Sequence, residues 1–439
     1  MITNVRPKCL KGKVTKLVYF PVFAVLFFQS AFGQSDFTKR DKNFLEALKK
    51  KDFVTAQTLT SANLNKQLGI NGLKDAATQI NKQIGELNSY DTTAISDSKN
   101  ILRFVVHFEK ADLIMQFANS ESGIEGFFLL PLDQAYHYPT YEIKSKEKIE
   151  EIKLVLDTVN LPAILTLPND SNVKHPAVVF IGGSGPTDYD ETIGIIKPFK
   201  DISIALANCG IVSLRYDKQS KVYPERFKRN YTVQDEYEPD LKSALAYLET
   251  RPEVDKRRIF LIGHSLGATL VPMLIATNPN VKGGIMLEAN AEPLHHIYLK
   301  QLRHLQSLNG TPSDSTIKAV AKDVDLLNHI SASDSSLTLL GAKGSYWLSL
   351  KMYNPFKVIN SLRAERFLII QGGLDYQVDS DNLRIWQSKL KKGNTNFLFF
   401  SNLNHALVEG TKAMSPQEYY IPANVPIDLI QSICNWVLQ

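Results

Sequence analysis

Cysteine is scarce in this sequence, with only three in 439 residues. Cys9 lies near the start of the chain, and Cys209 and Cys434 are far apart. So few cysteines exclude the disulfide framework of a small cysteine-rich domain. We expect Cys209 and Cys434 to be free and buried, although an oxidising compartment would permit them to pair.

The sequence also lacks the common motifs that bind nucleotides and metals. It has no phosphate-binding loop that ends in a lysine and no His-Glu-x-x-His pair. Three histidines, His295, His296 and His304, are close in sequence, but their spacing fits an amphipathic helix better than a metal site. We therefore expect neither a metal nor a cofactor.

The excess of positive charge is confined to one end of the chain. The first 33 residues contain no acidic residue and five basic ones, namely Arg6, Lys8, Lys11, Lys13 and Lys16. The rest of the chain carries 45 basic and 45 acidic side chains. Because a formally neutral protein has no net field to hold a phosphate backbone, we exclude nucleic-acid binding.

Residues 1–33 have the pattern of an export signal peptide. Their basic residues precede the apolar run Leu17 to Phe28, and Ala31-Phe32-Gly33 forms a small-x-small cleavage site. The alternative is an uncleaved membrane anchor, but this run is shorter than the roughly 20 residues that span a bilayer. We expect cleavage before Gln34, no stable membrane anchor afterwards, and a location in the periplasm or outside the cell.

Two segments with different patterns follow. In residues 34–140, helical spacing from Leu73 to Leu87 gives way to alternating strands such as Leu102 to Phe108, which predicts a small α+β domain. From 148 to 439, short apolar strands alternate with helices, which predicts a mostly parallel sheet with helices on both faces. The first segment contains no cluster of reactive residues, so its function is not indicated.

The informative motif of the second segment is Gly263-His-Ser265-Leu-Gly267, which follows an apolar strand and precedes a helical pattern. A serine in a sharp strand-to-helix turn needs neighbours without bulk, and Gly263 and Gly267 meet that need. The alternative is a glycine-bounded turn without catalysis. The strand, turn and helix together favour Ser265 as a nucleophile.

A serine nucleophile needs a base to take its proton and an acid to orient that base. His405 and Asp375 each follow a predicted apolar strand, at the carboxyl end where open α/β sheets build their sites. With Ser265 they give the chain order Ser, Asp, His of α/β-hydrolases. Asp379 and Asp381 compete for the role of the acid, but Asp375 follows its strand directly.

Two backbone N–H groups are needed to stabilise the tetrahedral oxyanion. We predict Leu266, the residue after the nucleophile, as one donor. Ser184 in the loop Gly182–Pro186 is predicted as the other, with Gly183 as the alternative. A dinucleotide-binding loop is the competing interpretation, but Asp188 stands where its third glycine would be.

With these motifs, residues 148–439 resemble bacterial α/β-hydrolase esterases related to the serine-aminopeptidase-like hydrolases. Residues 40–135 resemble the uncharacterised domain that often precedes such hydrolases in secreted bacterial proteins. The resemblance implies an α/β-hydrolase fold and hydrolysis of small-acyl carboxylic esters, with Ser265, Asp375 and His405 as the triad. The matching motifs are Gly182-Gly-Ser-Gly-Pro186, Asp190-Glu-Thr-Ile-Gly194, Leu214-Arg-Tyr-Asp-Lys218, Gly263-His-Ser-Leu-Gly267, Asp375-Tyr-Gln-Val378 and Leu403-Asn-His405.

Three positions depart from the family pattern. Tyr189, Gln219 and Glu292 stand where the resemblance predicts arginine. Loss of three cations near the expected pocket would change the field that a substrate meets. An anionic substrate is therefore in doubt, unless those arginines serve structural ion pairs.

A long segment between two predicted strands, about residues 291–362, is expected to form a helical cap over the site. Its stripes of apolar residues have helical spacing. Tyr346, Trp347 and Tyr353 are predicted to line a pocket for a hydrophobic substrate.

The sequence predicts a small-molecule ester as the substrate and leaves the oligomeric state open. One alternative is a serine peptidase or amidase on the same triad, for which Glu288 or Glu292 would bind a free amine. The other is a non-catalytic binding protein of hydrolase fold. The serine, aspartate, histidine and oxyanion loop are all present, which argues against it.

Overall fold

The computed structural model describes residues 34–439, except for residues 99, 133–135, 158, 171–172, 310–311, 313, 363 and 391–392. The predicted signal peptide, residues 1–33, lies outside the described residues. The described chain forms two compact units, of which the first ends at Leu132 and the second comprises nearly all residues from 136 onward. None of the described helices is both long enough and apolar enough to cross a bilayer.

The first unit is an antiparallel sheet with three helices. In sequence order its elements are helices α1 (Gln34–Lys49), α2 (Phe53–Thr58) and α3 (Ala62–Ile84), then strands β1 (Leu87–Tyr90), β2 (Ile95–Ser98), β3 (Ile101–Phe108), β4 (Asp112–Ser120) and β5 (Gly123–Pro131). The strand order is β1-β3-β4-β5, and β2 also pairs with β3. Every second side chain of β3 is buried, and Phe104 packs with Phe44 and Phe117 in one core. This alternation is what a sheet with one covered face requires.

The second unit alternates strands and helices. Its strands are β6 (Glu147–Leu156), β7 (Val159–Pro168), β8 (His175–Ile181), β9 (Val212–Tyr216), β10 (Val254–His264), β11 (Val281–Leu287), β12 (Thr338–Leu339), β13 (Ala342–Lys343), β14 (Arg366–Gly372) and β15 (Thr395–Phe400). Its helices are α4 (Pro198–Asn208), α5 (Gln219–Val222), α6 (Val233–Thr250), α7 (Leu266–Ala276), α8 (Leu294–Asn309), α9 (Asp314–Asn328), α10 (Gly344–Met352), α11 (Pro355–Ser361), α12 (Asp381–Lys389) and α13 (Ile427–Leu438). Short 3₁₀ helices occur at Lys144–Lys146, Pro224–Phe227, Ala332–Asp334 and Pro416–Tyr420.

Eight strands form one sheet in the order β15-β14-β11-β10-β8-β9-β7-β6, parallel from β15 to β9 and antiparallel at β7 and β6. Every residue of β8 is buried. Val179 and Ile181 join the core shared with α6 and α7, while Val178 and Phe180 join the core shared with α4 and α13. Burial on both faces explains the continuous apolar run, and the predicted mostly parallel sheet is confirmed.

The helices between β11 and β14 occupy the segment predicted as a cap. Residues 291–362 contain α8, α9, α10 and α11, together with the small antiparallel pair of β12 and β13. Buried residues such as Leu327, Trp347 and Ile359 belong to the same core as α6 and α7. The helical insertion therefore shares the hydrophobic core of the second unit.

Cys209 and Cys434 form a disulfide, with Cα atoms 6.2 Å apart. Cys209 ends α4, and Cys434 lies in α13. The expectation that both are free is wrong, because α4 and α13 pack side by side on one face of the sheet. A separation of 225 residues hides this proximity from sequence reasoning.

We expect loss of this disulfide to lower the free energy of unfolding. The bridged residues are 225 positions apart, a loop length for which the chain-entropy model gives about 5 kcal/mol, whereas disulfides typically stabilise proteins by about 2–4 kcal/mol. Urea unfolding of the oxidised protein, the reduced protein and the Cys209→Ala/Cys434→Ala variant measures the effect. The last two should unfold at a similar, lower urea concentration, and equal midpoints for all three would contradict the prediction.

Candidate active site

Ser265 lies in a tight turn between β10 and α7 with φ = 53°, a backbone conformation that is strained for a residue with a side chain. Its amide donates to the Leu287 carbonyl over 2.9 Å, which ties the turn to the next strand. A Cβ at Gly263 would lie 2.6 Å from the Ala268 Cα, and a Cβ at Gly267 would lie 2.3 Å from the Gly182 carbonyl oxygen. Both positions flanking the serine therefore require glycine.

His405 and Asp375 are brought into contact from the loops after β15 and β14. Asp375 Oδ2 lies 2.6 Å from His405 Nδ1, and Asp375 Oδ1 accepts from the amides of Gln377 and Val378 over 2.7 and 2.9 Å. Both side chains are buried. A carboxylate at Nδ1 fixes the ring and leaves Nε2 as the nitrogen that can accept a proton.

The competing acids lie elsewhere. Asp379 contacts Lys300 at 3.5 Å and accepts from the Asp381 amide, while Asp381 pairs with Arg384 at 2.8 Å. Asp379 and Asp381 are thus engaged outside the pair formed by Asp375 and His405.

The loop after β8 lies against the serine turn. A Cβ at Gly183 would be 3.3 Å from Ser265 Cβ. The Gly183 amide already donates to Glu191 Oε1 over 2.8 Å, so it is not available to a second acceptor. Ser184 is therefore the candidate donor from this loop, beside Leu266 at the start of α7.

A buried lysine, Lys218, donates hydrogen bonds to the backbone of the same loop. Lys218 Nζ donates to the carbonyls of Gly183 and Gly185, each over 2.9 Å, and to the Tyr237 hydroxyl over the same distance. Its charge is balanced by Glu236 at 2.9 Å. Both side chains are almost fully buried. The charges therefore interact strongly, because the protein interior has a lower dielectric constant than water. The two carbonyls that flank Ser184 are thereby fixed.

Glu191 links this loop to the histidine loop. It sits at φ = 52° and is buried, and its Oε1 also lies 3.0 Å from His264 Nδ1. His264 Nε2 lies 2.8 Å from the His405 carbonyl oxygen. Burial lowers the pKa of His264, but the Glu191 carboxylate and the His405 carbonyl outweigh it, so the pKa is raised. A positive ring would donate to both acceptors and connect the three loops.

Sequence reasoning missed the roles of Glu191 and Lys218. Both lie in motifs that carry the family resemblance, at Asp190–Gly194 and Leu214–Lys218, yet neither position follows the pattern of a nucleophile, base or acid. The available signal was that charged residues cluster in these two short motifs, because charged side chains in a folded core need partners.

A cavity of about 220 Å³ adjoins Leu266. Trp347 and Tyr353, two of the predicted pocket residues, line it. Tyr346, the third predicted pocket residue, is not among the residues that line this cavity, and its ring packs 5.2 Å from the Tyr231 ring. The other residues that line the cavity are Thr269, Asn290, Ala291, Glu292, Pro293, Leu294, His295, Leu350, Lys351, Asn354, Pro355 and Phe356.

Neither carboxylate considered for binding a free amine is available. Glu288 is fully buried and accepts from the Gly372 amide over 2.8 Å. Glu292 lines the cavity but is paired with Lys300. At this position, where the family resemblance predicts arginine, the chain forms an ion pair of its own.

Known proteins similar to this chain are hydrolases. Residues 161–322 match the dienelactone hydrolase family. Esterase EstD of Thermotoga maritima is 31% identical over 434 residues, which span 96% of this chain and 99% of EstD. Thiohydrolase apmlB of Arthrinium phaeospermum is 27% identical over 112 residues, 26% of this chain and 34% of that protein. Est1E from Butyrivibrio proteoclasticus, a solved structure, is 16% identical with a TM-score of 0.45 and covers 66% of this chain and 97% of its own.

We expect Lys218→Met to lower kcat for a p-nitrophenyl ester with little change in KM. In this variant the Gly183 and Gly185 carbonyls lose their hydrogen bonds from Lys218, so the loop that carries Ser184 is no longer held in place. The residues that line the cavity are unchanged. Removal of one oxyanion donor costs about 10²–10³ in kcat, and displacement of the donor should cost part of that. Steady-state kinetics measure the change, and an unchanged kcat would contradict the role assigned to the lysine.

The control for this variant is Lys218→Met/Glu236→Gln. The single variant leaves Glu236 buried without its cation, a change that destabilises proteins by about 3–5 kcal/mol. The double variant should regain thermal stability without regaining kcat. Recovery of both would assign the loss of activity to the unpaired charge.

Proposed function

Because the chain belongs to the esterase family that includes EstD, we propose that it hydrolyses esters of small or medium acyl groups through Ser265, His405 and Asp375. Family membership makes it a carboxylesterase-like hydrolase. The observation that carries the finer proposal is the 2.6 Å contact between His405 Nδ1 and Asp375, which leaves Nε2 of the ring to serve as a base.

In the first half of the proposed reaction, Ser265 Oγ attacks the acyl carbonyl carbon while His405 Nε2 takes the hydroxyl proton. Asp375 holds the imidazolium that forms. The amides of Leu266 and Ser184 stabilise the oxyanion, which develops close to the N-terminus of α7. The tetrahedral intermediate then collapses, and the alcohol leaves with the proton from His405. The product is an acyl-enzyme on Ser265.

In the second half, water replaces the alcohol. His405 takes a proton from the water, whose oxygen attacks the acyl carbon and forms a second tetrahedral intermediate at the same amides. Collapse releases the carboxylic acid and returns the proton to Ser265 Oγ. The ester has then been split into an alcohol and an acid by one water molecule.

The cavity beside Leu266 supports a neutral ester with a short or medium acyl group. Its volume of about 220 Å³ is below the roughly 300 Å³ at which pockets for drug-sized ligands begin. Lys351 at its wall donates to the carbonyls of Asn328 and Ile330 over 2.8 and 3.2 Å. Burial lowers the pKa of His295, which favours the neutral ring. These lining groups do not offer a free cation to an anionic substrate.

We also propose that the protein is exported, to the periplasm or beyond. The pattern of residues 1–33 predicts it, and the disulfide between Cys209 and Cys434 supports it because disulfides persist in oxidising compartments. The first unit is proposed to be a separate small α+β domain, to which we assign no function.

Ser265→Ala should abolish hydrolysis of p-nitrophenyl acetate, butyrate and octanoate by residues 34–439. Loss of the nucleophile in such a triad lowers kcat by about 10⁴-fold or more. The matched control is Ser388→Ala, an exposed serine on α12 that should retain wild-type rates. Equal turnover by wild type and Ser265→Ala would refute the triad, and faster turnover of matched aminoacyl amides would favour a peptidase.

A further inference from the structure

A second carboxyl group lies beside the proposed triad. Glu288 directly follows β11 at φ = 51° and is fully buried. Its Oε1 accepts from the Gly372 amide over 2.8 Å, and its Oε2 accepts from the Gln371 side-chain amide. The backbone strain and the two donors hold this carboxyl group in one place.

Hydrogen bonds also join Glu288 to the loop that holds Asp375. Gln371 Nε2, which donates to Glu288, donates to the Val378 carbonyl over 2.8 Å as well, and the Val378 amide donates to Asp375 Oδ1 over 2.9 Å. Asp375 is thus the neighbouring carboxyl group of Glu288. Two carboxylates in contact repel each other strongly, so one of them retains a proton. Both oxygens of Asp375 already accept hydrogen bonds, one from His405 and the other from the amides of Gln377 and Val378. Burial, and then the nearby Asp375 carboxylate, raise the pKa of Glu288 well above its usual range. The shared proton therefore belongs on Glu288.

We propose that Glu288 is a positioning residue, whose neutral carboxyl group donates a hydrogen bond to Asp375 and orients that carboxylate toward His405. This inference rests on the proposed function, since it assigns a partner to the acid of the proposed triad. Glu288 itself touches neither the serine nor the substrate in this mechanism.

The neutral state of Glu288 has a consequence for the base. Asp375 is the ionisable group in contact with Glu288, and His405 and His264 lie beyond Asp375. A second negative charge at this point would favour the protonated imidazole of His405 and withdraw the base from catalysis at neutral pH. A carboxylic acid supplies the hydrogen bond without adding that charge.

Two substitutions of similar size separate the hydrogen bond from the charge. Glu288→Gln keeps a donor for Asp375 and is always neutral, whereas Glu288→Leu removes the donor. For p-nitrophenyl butyrate we expect Glu288→Gln to keep kcat within about threefold of wild type. Glu288→Leu should lower kcat by about tenfold or more with a smaller change in KM. Thermal unfolding of both variants identifies a loss that comes from misfolding.

The pH dependence of kcat/KM decides the charge state. A neutral Glu288 predicts that the acid limb of the profile is the same in wild type and Glu288→Gln. If Glu288 is instead a carboxylate, its removal makes His405 easier to deprotonate, and the acid limb moves to lower pH. Such a shift of the acid limb would overturn the proposal. So would a wild-type kcat in Glu288→Leu, or an equal loss of kcat in both variants.

An infrared measurement tests the same point without any esterase activity. Protein labelled with ¹³C-glutamate should show the carbonyl band of a protonated, buried carboxylic acid at neutral pH, and Glu288→Gln should lack that band. If wild type hydrolyses no ester but the band is present, the proposed function fails and the neutral acid stands. If the esterase is active but the band is absent, the neutral acid fails alone.

Discussion

Parallel strand pairing is the constraint on which the candidate site depends. The strands β8, β10, β11, β14 and β15 run in one direction, so their carboxyl ends meet at one edge of the sheet. Gly263 pairs with both Ile181 and Met286, and Gly372 pairs with Phe400. This register places five loops side by side, although they are spread over more than half of the chain.

Buried charges then fix these loops against one another. The pairs Lys218–Glu236, Glu191–His264 and Asp375–His405 are each almost excluded from solvent. A buried charge without a partner is strongly unfavourable, so each pair admits only a narrow range of loop positions. Such rigidity suits acyl transfer, where donors must already face the place at which negative charge develops.

Much of this arrangement could be predicted from the sequence, because the features concerned are local. The glycines on either side of Ser265 are needed because neighbouring backbone lies within a few ångströms of them. Both belong to one motif of five residues, so the sequence alone reveals them. Asp375 and His405 follow apolar strands directly, so strand prediction alone puts them at the same edge. The predicted sheet with helices on both faces is confirmed by the double burial of strands such as β8.

Other features depended on contacts between distant residues. The sequence by itself determined the strand and helix periods, the two-part organisation and the chemistry offered by Ser265, because these follow from neighbouring residues and from backbone geometry. Only the tertiary structure decided that Cys209 meets Cys434, that Tyr346 packs on Tyr231, and that the Gly183 amide is taken by Glu191. Such partners are determined by how helices and loops pack across the sheet. A periodic sequence pattern shows which side chains are buried, but it does not show which distant side chain each of them contacts.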